Sequence, residues 1–379
     1  MRAALYRSHG PARDVLRVEE IDRPEPGPGE VRVRVLVSGI NPTDCKNRSG
    51  ATGRAVDDFQ IPHHDGAGVI DAVGAGVSPE RVGQRVWLWF AAAGRRWGTA
   101  AEWSVVPEHQ AVPLPDGVSL ELGATLGVPA LTAHRCLFAD GPLDGRTVLV
   151  AGGAGAVGHF AIELAKQAGA RVIATVSTPA KADLAVRAGA DHVLNYLEPG
   201  AVDELRAITP RVDRVIEVAL GANLDLDLAV AGPETVIAIY ATEAQDPTLP
   251  LRACLVANVT LRFVWLYGVP VPELVQASSD VAAALTAGAL DELPVHRFPL
   301  SNVAEAHEAV EAGVVGKVLS TSRDPRPGTG QADELAANDA RVAAISPTSS
   351  SEPSATAMTK SWAASSPASS TIPFLARST

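Results

Sequence analysis

The chain has 379 residues, of which 46% are hydrophobic and 20% charged, and it carries a net charge of −11. That length allows two to three domains with a sizeable core. A body so acidic repels nucleic acid and anionic membranes, which argues against both as partners. The segment from Arg323 onward holds five basic and five acidic residues, so the whole excess sits in the first 322. An anionic ligand would therefore need local cations of its own. The three cysteines, Cys45, Cys136 and Cys254, show neither zinc-knuckle nor CxxC spacing, which fits a reducing compartment such as the cytoplasm. The opening MRAALYRSHG has no apolar core of a signal peptide, and no apolar run is long enough to span a membrane.

Residues 1–125 read as mostly β. Glu30–Val37 (EVRVRVLV) alternates apolar and charged residues as a half-buried strand does, and turn clusters such as PEPGPG at 24–29 punctuate the segment. The texture changes near residue 126. Strand Thr147–Val150 precedes a helix over Ala156–Ala168 that Gly169 ends. Strand Arg171–Val176 precedes a helix over Pro179–Ala188 that ends before Gly189. Short apolar strands follow at His192–Leu194, Arg214–Val218 and Thr235–Ile239, and repeated β-α-β units imply a parallel sheet with helices on both faces. Beyond 263 come a helix over Val271–Ala287, a strand-like HRFPL, a helix over Val303–Ala312 and a strand over Gly316–Ser320. Residues 323–379 are rich in Ser, Ala, Pro and Thr, and this composition predicts a disordered tail.

The run Gly153, Ala154, Gly155, Ala156, Val157, Gly158 is G-x-G-x-x-G. It follows the strand TVLVAG and opens an amphipathic helix, the context in which such a turn binds a dinucleotide. The first glycine is expected to make the tight turn, the second to admit the pyrophosphate, and the third to let helix and strand pack closely. Helix-end amides then hold the phosphates. An NAD site places a carboxylate about 20 positions on. Here the second strand ends in Thr175–Val176–Ser177–Thr178, with Lys181 just beyond. Small hydroxyls and a cation suit a 2′-phosphate, so the expected cofactor is NADPH. In the alternative reading Ser177 only caps the helix and Lys181 is solvated.

A β-rich lobe, a Rossmann domain opened by AGGAGAVG and a short return to the first lobe resemble the medium-chain dehydrogenase/reductase superfamily. The closer resemblance is to its zinc-free quinone oxidoreductase branch. SGINPTDCKNRSG (38–50), HHDGAGVIDAVGAGV (63–77), GVPALTAHRCL (127–137), AGADHVLNY (188–196) and AEAHEAVEAGVVGKVL (304–319) carry it. The resemblance implies a GroES-like catalytic lobe at 1–125, an NADPH-binding Rossmann domain at 126–262, and a return to the catalytic lobe at 263–322. It places Asn41 and Thr132 near the nicotinamide, and Ser177, Lys181 and Tyr196 around the 2′-phosphate. Gly221, Ala238, Ile239, Tyr240, Ala241, Phe263, Val264 and Trp265 would line the nicotinamide side, with Lys317 near the cofactor cleft. Related reductases often carry a tyrosine where this chain has Lys46. Lys46 or Arg48 could steady negative charge growing on a carbonyl oxygen; alternatively both face solvent.

The zinc-dependent branch needs ligands where this chain has Asn41, His64–Asp65 and Val128. One imidazole and one carboxylate fall short of the three protein ligands a catalytic zinc takes, so no metal is expected. His64 is read as capping a turn. Cys45, near Lys46 and Arg48, is either a reactive thiol or an inert packed one. Trp89, Trp265 and Tyr267 could wall a flat substrate. The expected activity is hydride transfer from NADPH to a quinone or other conjugated carbonyl. An enoyl-thioester or enone reductase and a non-catalytic NADPH sensor are the alternatives. Pairing of Rossmann edge strands in a homodimer is expected by analogy with the branch.

Overall fold

The computed structural model describes residues 1–242 and 245–322; the tail expected to be disordered, 323–379, lies outside them. Six parallel strands form one sheet, Thr147–Val150, Arg171–Val176, His192–Asn195, Arg214–Glu217, Val236–Ile239 and Thr260–Phe263. Numbered in chain order they lie 3-2-1-4-5-6, the doubly wound arrangement, whose switch point falls between the first and fourth. Successive residues along each strand enter opposite layers, because side chains alternate across a sheet. Val148 and Val150 pack with Phe160, Ile162 and Leu274 in one helix layer, while Leu149 packs with Leu205, Leu220 and Leu224 in the other. Burial on both faces is why these strands read as short apolar runs rather than alternating ones.

The second, mixed sheet joins both ends of the described chain. Glu30–Ile40 pairs antiparallel with Asp65–Val73 and Trp103–Pro107, and Lys317–Thr321 pairs antiparallel with its C-terminal half. Val295–Pro299 adds outside Lys317–Thr321, and Arg85–Leu88 and Ala111–Pro113 extend the far side. The register Val318↔Ile40 and Leu319↔Gly39 brings Lys317 beside Asn41. Arg32, a charged position in the expected half-buried pattern, is itself buried. It lies between two paired strands, and its guanidinium is held by Asp71 at 2.8 Å and Glu25 at 2.6 Å.

A 19-residue helix, Leu120–Phe138, bridges the two sheets. Ser119 caps it, accepting from the Leu122 amide at 3.0 Å. It straddles the boundary expected at 125/126 and carries Pro129 in its interior, a residue that normally argues against a helix because it removes a ladder hydrogen bond. Its apolar side chains contribute to one continuous core with Trp87 and Val37 on one side and Val148 and Ala161 on the other. No helix among the described residues is long and apolar enough to cross a membrane.

Candidate active site

The glycine turn opens helix Ala156–Gln167, and the helix N-terminus has no side-chain cap and no acidic residue in its first turn. Its amides are therefore left for a ligand. The residue that takes the left-handed conformation is Gly152, at φ 67°, one position before the expected run. Gly153 instead permits packing, since a Cβ there would meet Ala174 Cβ at 2.8 Å. A Cβ on Gly158 would stand 2.3 Å from the Gly152 carbonyl oxygen, so the helix start and the turn pack closely there.

Gly152, Ala154 and Gly155 form one wall of a crevice of about 240 Å³ at the carboxyl ends of the strands. Val176, Ser177, Lys181 and Tyr196 line one end, Val218 and Tyr240 the other, and Gly313–Gly316 close it from the second lobe. Lys181 is the sole charged residue among those lining it. Its ammonium donates to Ser177 Oγ at 2.9 Å. Thr178, not Ser177, caps helix Pro179–Arg187, which leaves Ser177 available to a ligand. A bare-amide turn, a crevice wall of glycines and a lone hydroxyl–ammonium pair fit a dinucleotide with an extra phosphate. A larger concavity of about 680 Å³, bordered by Met1, Glu20, Asp22, Phe59 and Trp97, shares no residue with this crevice.

Several expected cofactor residues face elsewhere. Strand alternation sends Ala238 into one helix layer and Ile239 into the other. Ala156 is half-buried in the helix's first turn, and Val157 packs on the core. Gly221 lies exposed in the first turn of helix Leu220–Val230, and Ala241 is half-buried just past Tyr240. Phe263, Val264 and Trp265 line a separate depression with Arg135 and Arg262, and Phe263 is 72% exposed.

A buried polar centre lies where the sheet joining the chain's ends meets helix Leu120–Phe138. Asn41 donates from Nδ2 to Asp65 Oδ2 at 2.7 Å, and its Oδ1 accepts from the Lys317 ammonium. Lys317 Nζ lies 3.9 Å from Asp65 Oδ2, and the Val128 amide donates to Asp65 Oδ1 at 2.8 Å. Lysine only donates and an ionised carboxylate only accepts, so the orientation of the Asn41 amide is forced. Asn41 also opens helix Pro42–Ser49 in a capping box, its backbone N–H donating to Asp44 Oδ2 at 2.8 Å. Burial raises Asp65 to about 6, restrained by Lys317, so it is ionised at neutral pH. Burial and the Asp65 charge push Asp44 up to about 8, so its carboxyl holds a proton there.

Lys317 is thus buried and ties two site residues together, rather than lining the cofactor crevice. Arg48 does not face this centre. Its guanidinium donates to the Gly10 carbonyl at 2.5 Å and pairs with Glu311, fastening the helix to the opening and returning segments. Lys46 lies on the exposed face of the same helix. The Thr132 hydroxyl is buried and donates to the Val128 carbonyl of its own helix at 2.7 Å. Cys45 is the inert kind of cysteine: burial pushes its thiol up to about 12.

His64 caps no turn. Its ring lies 5.0 Å from Tyr267 and 6.0 Å from Phe90, and burial lowers it to about 3. Tyr267 stacks on Phe90 at 4.6 Å, and Trp265 lies 5.2 Å beyond. Trp89 is fully buried and backs Phe90. His63, at φ 76°, hydrogen-bonds Ser38 at 2.8 Å and His307 at 2.9 Å, anchoring the turn that delivers His64 and Asp65. The reading of the sequence missed Asp44, Asp65 and Gly313–Gly316 as site residues. The N-x-x-D spacing of the capping box signals Asp44; nothing local signals the others.

The model described as "Alcohol dehydrogenase GroES-like domain" matches residues 27–116, and that described as "Zinc-binding dehydrogenase" matches 156–283. The structure of mycobacterial Rv1454c complexed with NADPH is 30% identical, with a TM-score of 0.74 over 85% of this chain and 99% of that one. The chain belongs to the medium-chain dehydrogenase/reductase superfamily. Human quinone oxidoreductase is 28% identical over 326 residues, covering 84% of this chain and 97% of the relative. Escherichia coli quinone oxidoreductase complexed with NADPH is 25% identical, with a TM-score of 0.74 over 85% of this chain and all of that one. The span matched by the zinc-binding description contains none of Asn41, His64, Asp65 and Val128. Those four positions do not fit the metal: one is an amide, one is apolar, and the Asp65 carboxylate is already engaged by an ammonium. Among the described residues no group of three His, Cys, Asp or Glu could hold an ion.

Proposed function

We propose that this member of the superfamily is a zinc-independent, NADPH-dependent oxidoreductase acting on a quinone or other conjugated carbonyl. The observation that carries the reading is the crevice. Bare amides of a glycine turn face it, and Ser177, Lys181 and Tyr196 stand at the end where a 2′-phosphate would lie, with no carboxylate among them. The NADPH complexes of the two neighbours support the choice of dinucleotide.

The bound dinucleotide supplies a hydride to an electron-poor carbon. The chain's own residues bind and orient. Ser177 and Lys181 would hold the extra phosphate of a dinucleotide at one end of the crevice, and Val218 and Tyr240 would border it at the other. Asn41 has one Nδ2 hydrogen committed to Asp65, and the second is free to donate to a carbonyl oxygen. Lys317 and Asp65 hold that amide in one orientation, so the donor is in place before charge develops on the oxygen. Trp265, exposed and 5.2 Å from the Tyr267 ring, gives a flat acceptor an aromatic surface.

We further propose a cytoplasmic homodimer. Thr260–Phe263 is the terminal strand of its sheet, paired on one side, and Leu251, Leu255, Val256 and Phe263 expose apolar surface beside it. Titration with NADPH and NADH, followed by a cofactor-oxidation screen over quinones, enals and enoyl thioesters, tests the activity. Tighter binding of NADPH and turnover of a quinone or enone are expected. Preference for NADH, or NADPH binding with no oxidation by any acceptor, refutes it.

A further inference from the structure

Position 46, on helix Pro42–Ser49, is an exposed lysine. A phenol lies beside the buried polar centre instead. Tyr267 lies in the short turn Leu266–Gly268 after the edge strand. Its ring is clamped between Phe90, stacked at 4.6 Å and 23°, and His64, tilted at 5.0 Å. Its hydroxyl is buried with no partner within ordinary hydrogen-bond geometry; Thr43 is the side chain placed to pair with it, and the carboxyls of Asp44 and Asp65 stand nearby. A buried hydroxyl held by one loose partner keeps hydrogen-bonding capacity to spare, and in a native structure that calls for an explanation.

We propose that Tyr267 is the proton donor of the reaction, its O–H awaiting the oxygen on which negative charge collects as the substrate is reduced. The proposal rests on the hydride-transfer reading above. A hydride from bound NADPH would form a new C–H bond on the acceptor carbon, and the π pair displaced from that carbon would come to rest on the carbonyl or quinone oxygen. The Tyr267 O–H bond breaks as a new O–H bond forms there. The phenolate takes its proton back from water when product leaves. Asn41 hydrogen-bonds Asp65, and Tyr267 packs on His64, the residue next to Asp65 in the chain, so both donors belong to one neighbourhood. Burial, with the carboxyls of Asp44 and Asp65 nearby, raises the phenol well above its ordinary value, so it stays protonated until the oxyanion forms.

The experiment compares the full wild-type chain with Tyr267→Phe, using NADPH and whichever quinone or enone the wild type turns over. Phenylalanine keeps the stack on Phe90 and the contact with His64. A fall in kcat of about 100-fold is expected, the usual scale for a general acid. NADPH affinity should stay within about twofold, and the wild type's solvent deuterium isotope effect on kcat should disappear. A kcat within about threefold of wild type, with that isotope effect retained, overturns the assignment of Tyr267 alone. A wild-type chain that binds NADPH yet oxidises it with no acceptor overturns the hydride-transfer reading and this one with it. If the phenylalanine variant does not fold, a fluorinated tyrosine at 267 keeps the hydroxyl but lowers its pKa. At fixed pH kcat must then change with the degree of fluorination, and a kcat indifferent to fluorination overturns the proposal.

Discussion

Lys181→Ala separates the two dinucleotides through one ammonium. Lys181 sits in the first turn of helix Pro179–Arg187, and its Nζ is 2.9 Å from Ser177 Oγ at the crevice end that Tyr196 borders. A hydrogen bond to a charged group contributes about 1.5–3 kcal/mol. Lys181 is half-buried, so the lower end applies, and about 1.5 kcal/mol is roughly tenfold in Kd. NADH lacks the 2′-phosphate, and its affinity should change by less than about twofold. The chain carries −11 overall, and the local attraction is screened over about 8 Å at physiological salt. The NADPH penalty should therefore shrink as salt rises. The substitution also removes a cation from a helix N-terminus, where the dipole disfavours it. Thermal stability without ligand should be unchanged or slightly higher, so weaker binding cannot be blamed on unfolding. Fluorescence titration of both cofactors at two ionic strengths reads all of this. Equal loss for NADPH and NADH, or a loss indifferent to salt, refutes the phosphate-site argument.

Lys317→Met leaves the buried Asp65 charge without its cation and should cost about 3–5 kcal/mol by urea denaturation. Adding Asp65→Asn should recover part of that loss, and a double variant no better than the single would show that the ion pair is not the cause. Gly158→Ala places a methyl 2.3 Å from the Gly152 carbonyl oxygen. Overpacking of this kind costs about 1–3 kcal/mol, and the displaced turn should weaken NADPH binding; wild-type affinity would mean that the turn has room to spare. Asp44→Asn tests the raised carboxyl. In the wild type the folded state holds the Asp44 proton up to about pH 8, while the unfolded chain releases it near 3.8. The stability this carboxyl contributes is full below about pH 4 and is lost as pH rises toward 8, at up to about 1.4 kcal/mol per pH unit. Asparagine does not titrate, so the variant should gain on wild type as pH rises from 5 to 8. A difference that is flat, or that shrinks with pH, contradicts the assignment.

Where local pattern decides structure, the sequence was legible. The turn at 153–158 and the Ser177–Lys181 pair are each read within one β-α unit, because strand, cap and helix spacing lie in a few adjacent residues. Helix Leu120–Phe138 was hidden because Pro129 breaks the local rule that its packing between two sheets overrides. Strand Thr260–Phe263 was missed for a related reason. It is an edge strand with an arginine and an exposed phenylalanine, so it lacks the apolar run by which its neighbours were read.

The cations show where local reading stops. Lys46, Arg48 and Lys317 were all expected to act on a ligand, and nothing near them in sequence tells them apart. Glu311, 263 positions away, turns Arg48 into a fastener. Asn41, 276 positions away, turns Lys317 into the buried cation that orients the site. Both outcomes follow from how the returning segment packs on the first lobe, through the register Val318↔Ile40 and the docking of helix Val303–Glu311. The polar centre therefore cannot form until the chain has been followed to its last described strand. A motif in the first fifty residues supplies the candidates, and a pairing completed near residue 318 selects among them.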